Sequence, residues 1–215
     1  MFSGIMSHYD ESYFNWQKQM GEIGGHINKF LFREEIQDAD VLMDFGCGGG
    51  YLLAQFPNTH KIGFEINKSA WSECVRNNVR VTDTYDDIED DSVDTILSCH
   101  ALEHVPSPFE TLRQLYKKLK RGGKFILIVP CEQPSENSFY YSPNDINQHL
   151  YTWCPMTLGN LVTLSGFRVL SSLPIQHQWC PDYKERYREP DFHTRCIEYA
   201  KKNKNIQIKV IAKKE

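Results

Sequence analysis

Two short apolar runs stand out from a mixed polar background: Val41-Leu-Met-Asp-Phe and Phe125-Ile-Leu-Ile-Val. Both are bounded by turn residues, Gly46 after the first, Gly122-Gly123 before the second and Pro130 after it. Runs of this length, apolar at nearly every position, suit strands buried on both faces, as in a parallel sheet. Weaker runs at 61–66, 79–82, 95–99, 167–173 and 206–212 predict five more strands. Helical spacing falls between them. Residues 107–120 place Leu112, Leu115, Tyr116 and Leu119 on one stripe, with Lys117, Lys118, Lys120 and Arg121 near a C-terminus whose dipole favours cations. Gly122-Gly123 would then stop that helix. Residues 68–77, 155–165 and about 191–203 suit further helices, the second with Pro155 near its start and Gly166 just past its end. Ahead of the first strand, residues 9–36 predict a mostly helical lead-in dense in aromatics. Strand alternating with helix means an α/β fold: a doubly wound, mostly parallel seven-stranded sheet with helices on both faces and a helical N-terminal cap.

With 215 residues, 40% hydrophobic and 24% charged, the chain fits one domain with a substantial core. A formal net charge of −4 supplies no field to attract nucleic acid, and the late lysines (Lys201, Lys202, Lys204, Lys209, Lys213, Lys214) read as a solvated surface. Seven cysteines, an odd number with no C-x-x-C pair, argue against a disulfide framework and against a zinc ribbon. The first residues lack a basic start followed by an apolar stretch, and the longest apolar run, 125–129, is too short to span a bilayer. The expectation is a cytoplasmic protein with no membrane or nucleic-acid partner. Residues 130–147, with three prolines and several Ser and Asn, form a long loop after the fifth strand. That position lies beside the crevice at the carboxyl ends of the strands and makes the loop a candidate lid.

The chemistry concentrates after the first strand. Asp44 closes it, Gly46-Cys-Gly48-Gly49-Gly50 follows, and a helix is expected to start near Tyr51. Glycine permits the tight turn and removes side chains that would block the approach of a ligand to backbone. Nineteen residues after Gly46, Glu65 ends the second strand, where an acid suits bidentate contact with ribose hydroxyls. A dinucleotide fingerprint needs G-x-G-x-x-G, whereas this loop reads G-x-G-G-G and is preceded by Asp44. A carboxylate there is awkward for a pyrophosphate but suits a cofactor carrying an amino group and a sulfonium.

Asp44-Phe-Gly-Cys-Gly-Gly-Gly resembles motif I of the class I S-adenosylmethionine-dependent methyltransferases, and Glu65 resembles their second-strand acid. Asp94-Thr-Ile-Leu-Ser-Cys-His-Ala-Leu-Glu-His-Val is similar to the fourth-strand motif of the small-molecule branch with an "LEHV" signature. Leu119-Lys-Arg-Gly-Gly-Lys-Phe-Ile-Leu-Ile-Val-Pro is similar to its "LKPGG" turn and fifth strand, with Arg121 where proline is usual. His149-Leu-Tyr-Thr-Trp and Leu164-Ser-Gly-Phe-Arg-Val resemble the approach to the sixth strand. The resemblance implies a Rossmann-like methyltransferase fold that binds S-adenosylmethionine and releases S-adenosylhomocysteine. It implies a helical lid at 1–38, a cofactor-binding half at 39–130 and a substrate-side half at 131–215. Asp44, Gly46, Cys47 and Gly48 would hold the methionine end, and Glu65 and Ile66 the ribose and one adenine face. Thr84 and Tyr85 would lie near the adenine, although the acid often found there is displaced to Asp83 or Asp86. Cys99 and His100 would lie beside the sulfonium, and Tyr13 or Gln17 of the lid would touch the cofactor unless that helix only packs over the sheet.

Methyl transfer is an in-line displacement helped by a dry, aligned pocket, and an oxygen nucleophile also needs a base. The candidates are His100, His104 and His149, with the alternatives that His104 packs against helix 107–120 and that His149 is structural. Tyr140, Tyr141, Tyr151 and Trp153 would form a substrate wall or a lid core. His100-Ala-Leu-Glu103-His104 spells H-x-x-E-H, the order of inverted zinc peptidases, but it straddles a strand end where that motif needs a helix. Some "LEHV" methyltransferases hold a divalent metal at acid-x-x-Glu-His. Here His100 replaces the first acid, which disfavours a hard cation, and no metal is expected. The sequence reading is therefore a methyltransferase, monomer or homodimer, acting on an oxygen or nitrogen of a small molecule such as a sugar or glycan precursor. The alternatives are an inactive, cofactor-binding subunit and a nicotinamide-dependent oxidoreductase.

Overall fold

The computed structural model describes residues 11–36, 40–57, 59–131, 141–142, 145 and 147–215. Tyr9, Tyr140 and most of the candidate lid at 130–147 lie outside the described residues. The strands are β1 (Val41–Phe45), β2 (His60–Phe64), β3 (Arg80–Thr82), β4 (Val93–Cys99), β5 (Leu119–Pro130), β6 (Arg168–Ile175) and β7 (Gln207–Lys213). They form one seven-stranded sheet in the order β3-β2-β1-β4-β5-β7-β6. β7 runs antiparallel to both its neighbours, and the remaining pairs are parallel. The expected α/β fold is therefore the observed one.

Period-two alternation divides the core between the two faces. Leu42, Leu97, Ile126 and Ile128 face α1 (Glu11–Phe32) and α2 (Trp71–Arg76), packing with Leu31, Phe32 and Cys74. Met43, Phe45, Ile96, Phe125, Leu127 and Val129 face α3 (Pro108–Lys118) and α4 (Pro155–Leu164), packing with Leu112, Leu115, Leu158 and Val162. Fully burying each such side chain contributes about 1.5–3 kcal/mol before entropy is counted. The short α5 (Tyr183–Arg186) and α6 (Phe192–Lys202) close a third cluster, in which Ile27 of α1 meets Cys180, Phe192 and Cys196. Among the described residues no helix is long and apolar enough to cross a membrane, and the cysteines are free thiols.

Two local expectations are corrected. The segment after the glycine loop makes only a single 3-10 turn, Leu53–Gln55, instead of a helix from Tyr51. Pro57 excludes the helical conformation from Phe56, which sits at φ −118° and ψ 76°, and so only six residues separate Gly50 from the break. Helix α3 ends at Lys118, and Leu119 enters β5 directly, so Lys120 and Arg121 are not in its last turn. Gly122-Gly123 instead belongs to an irregular stretch of β5, between the pairings Val93–Leu119 and Thr95–Lys124.

Candidate active site

The carboxyl ends of β1, β2 and β4 open onto a cavity of about 310 Å³. Tyr13 and Gln17 of α1 wall one side of it, with Phe45, Gly46, Phe64, Glu65, Ile66 and Asn67 from the first two strand ends. Tyr85, the fourth strand end (His100, Ala101), His104, Val105, Pro106 and Thr111 of α3 complete the wall. A larger open depression of about 550 Å³ lies at the amino ends of β2 and β3, around His60, Lys61 and Arg80, and gathers no carboxylate.

The glycine loop forms the floor. Gly46, Gly48 and Gly50 have φ of 79°, 52° and 75°, a left-handed conformation that other residues adopt at a cost. The Gly46 and Cys47 amides donate to the Phe64 carbonyl at 2.9 and 3.2 Å, which ties the loop to the end of β2. Glu65 is clamped in turn: Oε2 accepts from the Gly48 amide at 2.8 Å and Oε1 from the Asn67 amide at 2.7 Å. Burial raises the Glu65 carboxyl, and these backbone donors hold it partly down. Asp44 is only 3% exposed, and its Oδ1 has no hydrogen-bond partner among the described residues. Burial, followed by the charge of Glu65, pushes its carboxyl up to about 8. A buried carboxylate without a donor is costly until a cation or donor reaches it.

At the opposite wall, His100 has φ 53°, unusual for a residue other than glycine, and its amide donates to the Ile128 carbonyl at 2.8 Å. Its ring Nε2 lies 2.8 Å from Gln207 Oε1. Gln207 Nε2 donates to the His177 carbonyl, which fixes the amide's orientation, so His100 Nε2 carries a proton. Nδ1 then faces Glu103 Oε1 at 3.6 Å, with His104 Nε2 on the same oxygen at 3.8 Å. Glu103 is completely buried, and neither carboxylate oxygen has a hydrogen-bond partner among the described residues. Desolvation by the surrounding protein pulls the His100 imidazole down although its side chain is 41% exposed, but Glu103 and Gln207 outweigh it and the pKa rises. Burial likewise works to raise Glu103, yet His100 leaves its carboxyl below the ordinary value. His104 goes the other way, lowered mainly by burial although Glu103 opposes the shift.

The predicted residues divide by position. Tyr13, Gln17, Gly46, Glu65, Ile66, Tyr85, His100 and His104 share the cavity wall. Tyr85 stacks on Phe64 at 4.4 Å between ring centroids. Cys47 and Gly48 lie in the floor, with the Cys47 thiol turned away from the cavity to 3.9 Å from Cys74 Sγ. Thr84 is exposed and Cys99 points toward Asn28 Nδ2, 3.9 Å away, and neither lines the cavity. His149 lies behind the wall, its ring edge-on to His104 at 4.8 Å. The 149–151 segment is held there by the Glu103 carbonyl, which accepts from the Leu150 and Tyr151 amides at 2.9 and 3.3 Å. Tyr151 stacks on Trp153 at 5.7 Å, and the pair lies outside the cavity lining.

Phe64, Asn67, Ala101, Val105, Pro106 and Thr111 line the cavity without having been singled out from sequence. Asn67 carried a readable signal, since it lies two residues past Glu65 and caps the next turn through Ser69 N at 3.1 Å. Glu103, His104 and His149 offer ligand atoms spread over as much as 4.8 Å. Zinc bonds of 2.0–2.1 Å place tetrahedral donors about 3.4 Å apart, close to the 3.8 Å between His104 Nε2 and Glu103 Oε1 but well short of the widest spacing in the group.

Several solved structures share the fold. One is a chain from the complex between a methyltransferase activator and a methyltransferase of Haloferax volcanii, with 18% identity, a TM-score of 0.70, and 94% of this chain and 96% of that chain covered. Another is a methyltransferase of Thermotoga maritima described as S-adenosylmethionine-dependent and a possible histamine N-methyltransferase, with 16% identity, a TM-score of 0.68, and 98% and 100% coverage. A third, an S-adenosylmethionine-dependent methyltransferase of Archaeoglobus fulgidus, has 19% identity, a TM-score of 0.63, and 88% and 92% coverage. The family model described as a methyltransferase domain matches residues 16–172. That match spans most of the sequence, and the chain belongs to this methyltransferase family.

Proposed function

We propose that the chain is an S-adenosylmethionine-dependent methyltransferase acting on an oxygen or nitrogen of a small molecule, the class that includes sugars and glycan precursors. One observation carries the reading. The left-handed glycine loop and the clamped Glu65 meet at one cavity, and the strand leading into that loop carries the buried Asp44 with an unsatisfied oxygen. Asp44 fits a cofactor with a cationic end, and a β-carbon at Gly48 would crowd Gln17 Oε1 at 3.3 Å, where a ligand needs the room. Bound there, the cofactor would supply a methyl group on a positively charged sulfur.

The protein's own residues take these parts. Asp44 and the Gly46-Cys47-Gly48 loop hold the methionine end, and Glu65 holds the ribose. Ile66 and Tyr85 flank the adenine. Tyr13 and Gln17 cover the pocket from α1 and exclude water, and His100 and His104 line the side where the acceptor enters. Thr84 and Cys99 make no direct contact in this reading, and His149 acts through His104. Residues 39–130 then carry the cofactor, and 131–215 with part of the 1–38 segment carry the acceptor side.

Isothermal titration of the full chain with S-adenosylmethionine, S-adenosylhomocysteine and NAD tests the assignment. One-to-one binding of the first two is expected. Binding of NAD, with none of either adenosyl compound, would overturn it.

A further inference from the structure

Charge is distributed unevenly around the cavity. Its wall includes Glu65, and Glu103 stands behind His100 and His104, whose rings approach its Oε1 at 3.6 and 3.8 Å. No lysine or arginine lines it among the described residues. The pattern extends along the sequence on the acceptor side. Of the described residues, 125–131 and 147–167 include no lysine or arginine, and residues 95–112 contain Glu103 and Glu110 and again no lysine or arginine. The one wall residue inclined to a positive charge, His100, is already engaged with Gln207 and Glu103. Tyr13 places an aromatic ring in the wall within reach of both Glu65 and Glu103, whose charges, after burial, push its phenol up.

We propose that the methyl acceptor is an organic amine that arrives as an ammonium cation, drawn to the His100–His104 wall by the buried Glu103 carboxylate and the Tyr13 ring. The proposal rests on the cofactor reading above and narrows the acceptor from oxygen or nitrogen to nitrogen. An anionic acceptor such as a phosphate ester or carboxylate would lose its hydration beside Glu65 and Glu103, with no lysine or arginine in the described wall to replace it. A neutral hydroxyl would need a strong base, and the neutral imidazole of His104 is a weak one. An ammonium gains from the negative field and from the face of an aromatic ring. Before reaction it loses one proton to bulk water. The freed nitrogen lone pair then forms the N–C bond while the C–S bond breaks with its electron pair retained by sulfur, and the positive charge moves from sulfur to the methylated nitrogen.

The test uses the full chain loaded with S-adenosylhomocysteine, titrated with 2-phenylethylamine, 2-phenylethanol, phenylacetate, phenyl phosphate and the matching n-butyl compounds. The same panel is assayed for transfer of a tritiated methyl group from S-adenosylmethionine. Amines are expected to bind and to accept methyl at least about tenfold better than the other classes, a preference worth about 1.4 kcal/mol. Glu103→Gln should weaken amine binding by about tenfold while leaving S-adenosylhomocysteine affinity within about twofold. If Glu103→Gln fails to fold, Thr111→Lys, a cation placed on the α3 side of the cavity, should lower amine binding and raise that of phenyl phosphate. Preference for another class, or no amine bound by the loaded protein, would overturn the proposal. Failure of S-adenosylhomocysteine to bind the wild type would instead strike the cofactor reading.

Discussion

At the residue scale, Asp44 couples the site to pH. Its carboxyl retains a proton in the folded state up to about 8, against an ordinary 3.8. The folded pKa is therefore raised, so the contribution to stability is complete below the ordinary value and is lost as pH climbs through about 8. A cationic ligand prefers the carboxylate, so its affinity should move oppositely and rise by up to about tenfold per pH unit between 6 and 8. Glu65 and the Cys47 and Cys99 thiols face the same carboxyl, and both thiols are themselves held well above their ordinary value, so neither supplies competing charge in this range. Calorimetry with S-adenosylmethionine at pH 6, 7 and 8 measures the slope, and Asp44→Asn should flatten it; a flat wild-type profile would remove Asp44 from the cationic end. Glu65 makes a separate prediction. Glu65→Ala strips the Gly48 and Asn67 amides of their acceptor. Hydrogen bonds to a charged group are worth about 1.5–3 kcal/mol, so S-adenosylhomocysteine affinity should fall by about tenfold or more. Unchanged binding would show that Glu65 shapes the loop without touching the ligand.

At the scale of elements, α1 decides how the cavity is walled. Its Gly21, Gly24 and Gly25 let the helix lie directly on Tyr51 and Trp179, and a β-carbon at Gly25 would overlap the Tyr51 carbonyl. Backbone cannot give way as a side chain can, so Gly25→Ala should push the helix off the loop. The expected cost is roughly 1–3 kcal/mol, a fall in Tm of about 2–10 °C. Gly24→Ala meets only the Trp179 ring and should cost less. Because Tyr13 and Gln17 ride on the same helix, Gly25→Ala should also weaken cofactor binding. Melting curves and titration of the two variants separate a packed wall from a freely moving lid, since a lid would lose little Tm in either. The break after the glycine loop is also decided at this scale. Leu53 still reaches the core through its single 3-10 turn, so the loop is braced without the helix expected there.

For the whole molecule, sheet order matters more than any one element. A ligand that binds only the folded state at about a hundred times its Kd adds about 2.7 kcal/mol, so S-adenosylhomocysteine should raise Tm by about 5–10 °C and NAD should not. Scanning fluorimetry reads the shift, and equal shifts from both ligands would deny the loop its selectivity. The sequence by itself determined the strands, the faces of the helices, the glycine loop and Glu65. Those features rest on local periods and turn residues, and Val41–Phe45 is an example read to the residue. It also brought Tyr13, Tyr85, His100 and His104 forward as candidates. Local pattern failed where a neighbour decides. Proline at 57 cut short the helix expected from Tyr51, and β5 began at Leu119 because Val93 pairs with it there. Only tertiary structure placed Cys99 and His149 off the cavity and joined His100 to Gln207, 107 residues away, by setting β4, β5 and β7 side by side. Only it showed Glu103 fully buried against the rings of His100 and His104. Burial and charge around a side chain are summed over every element packed against it, and no window along one strand contains that sum.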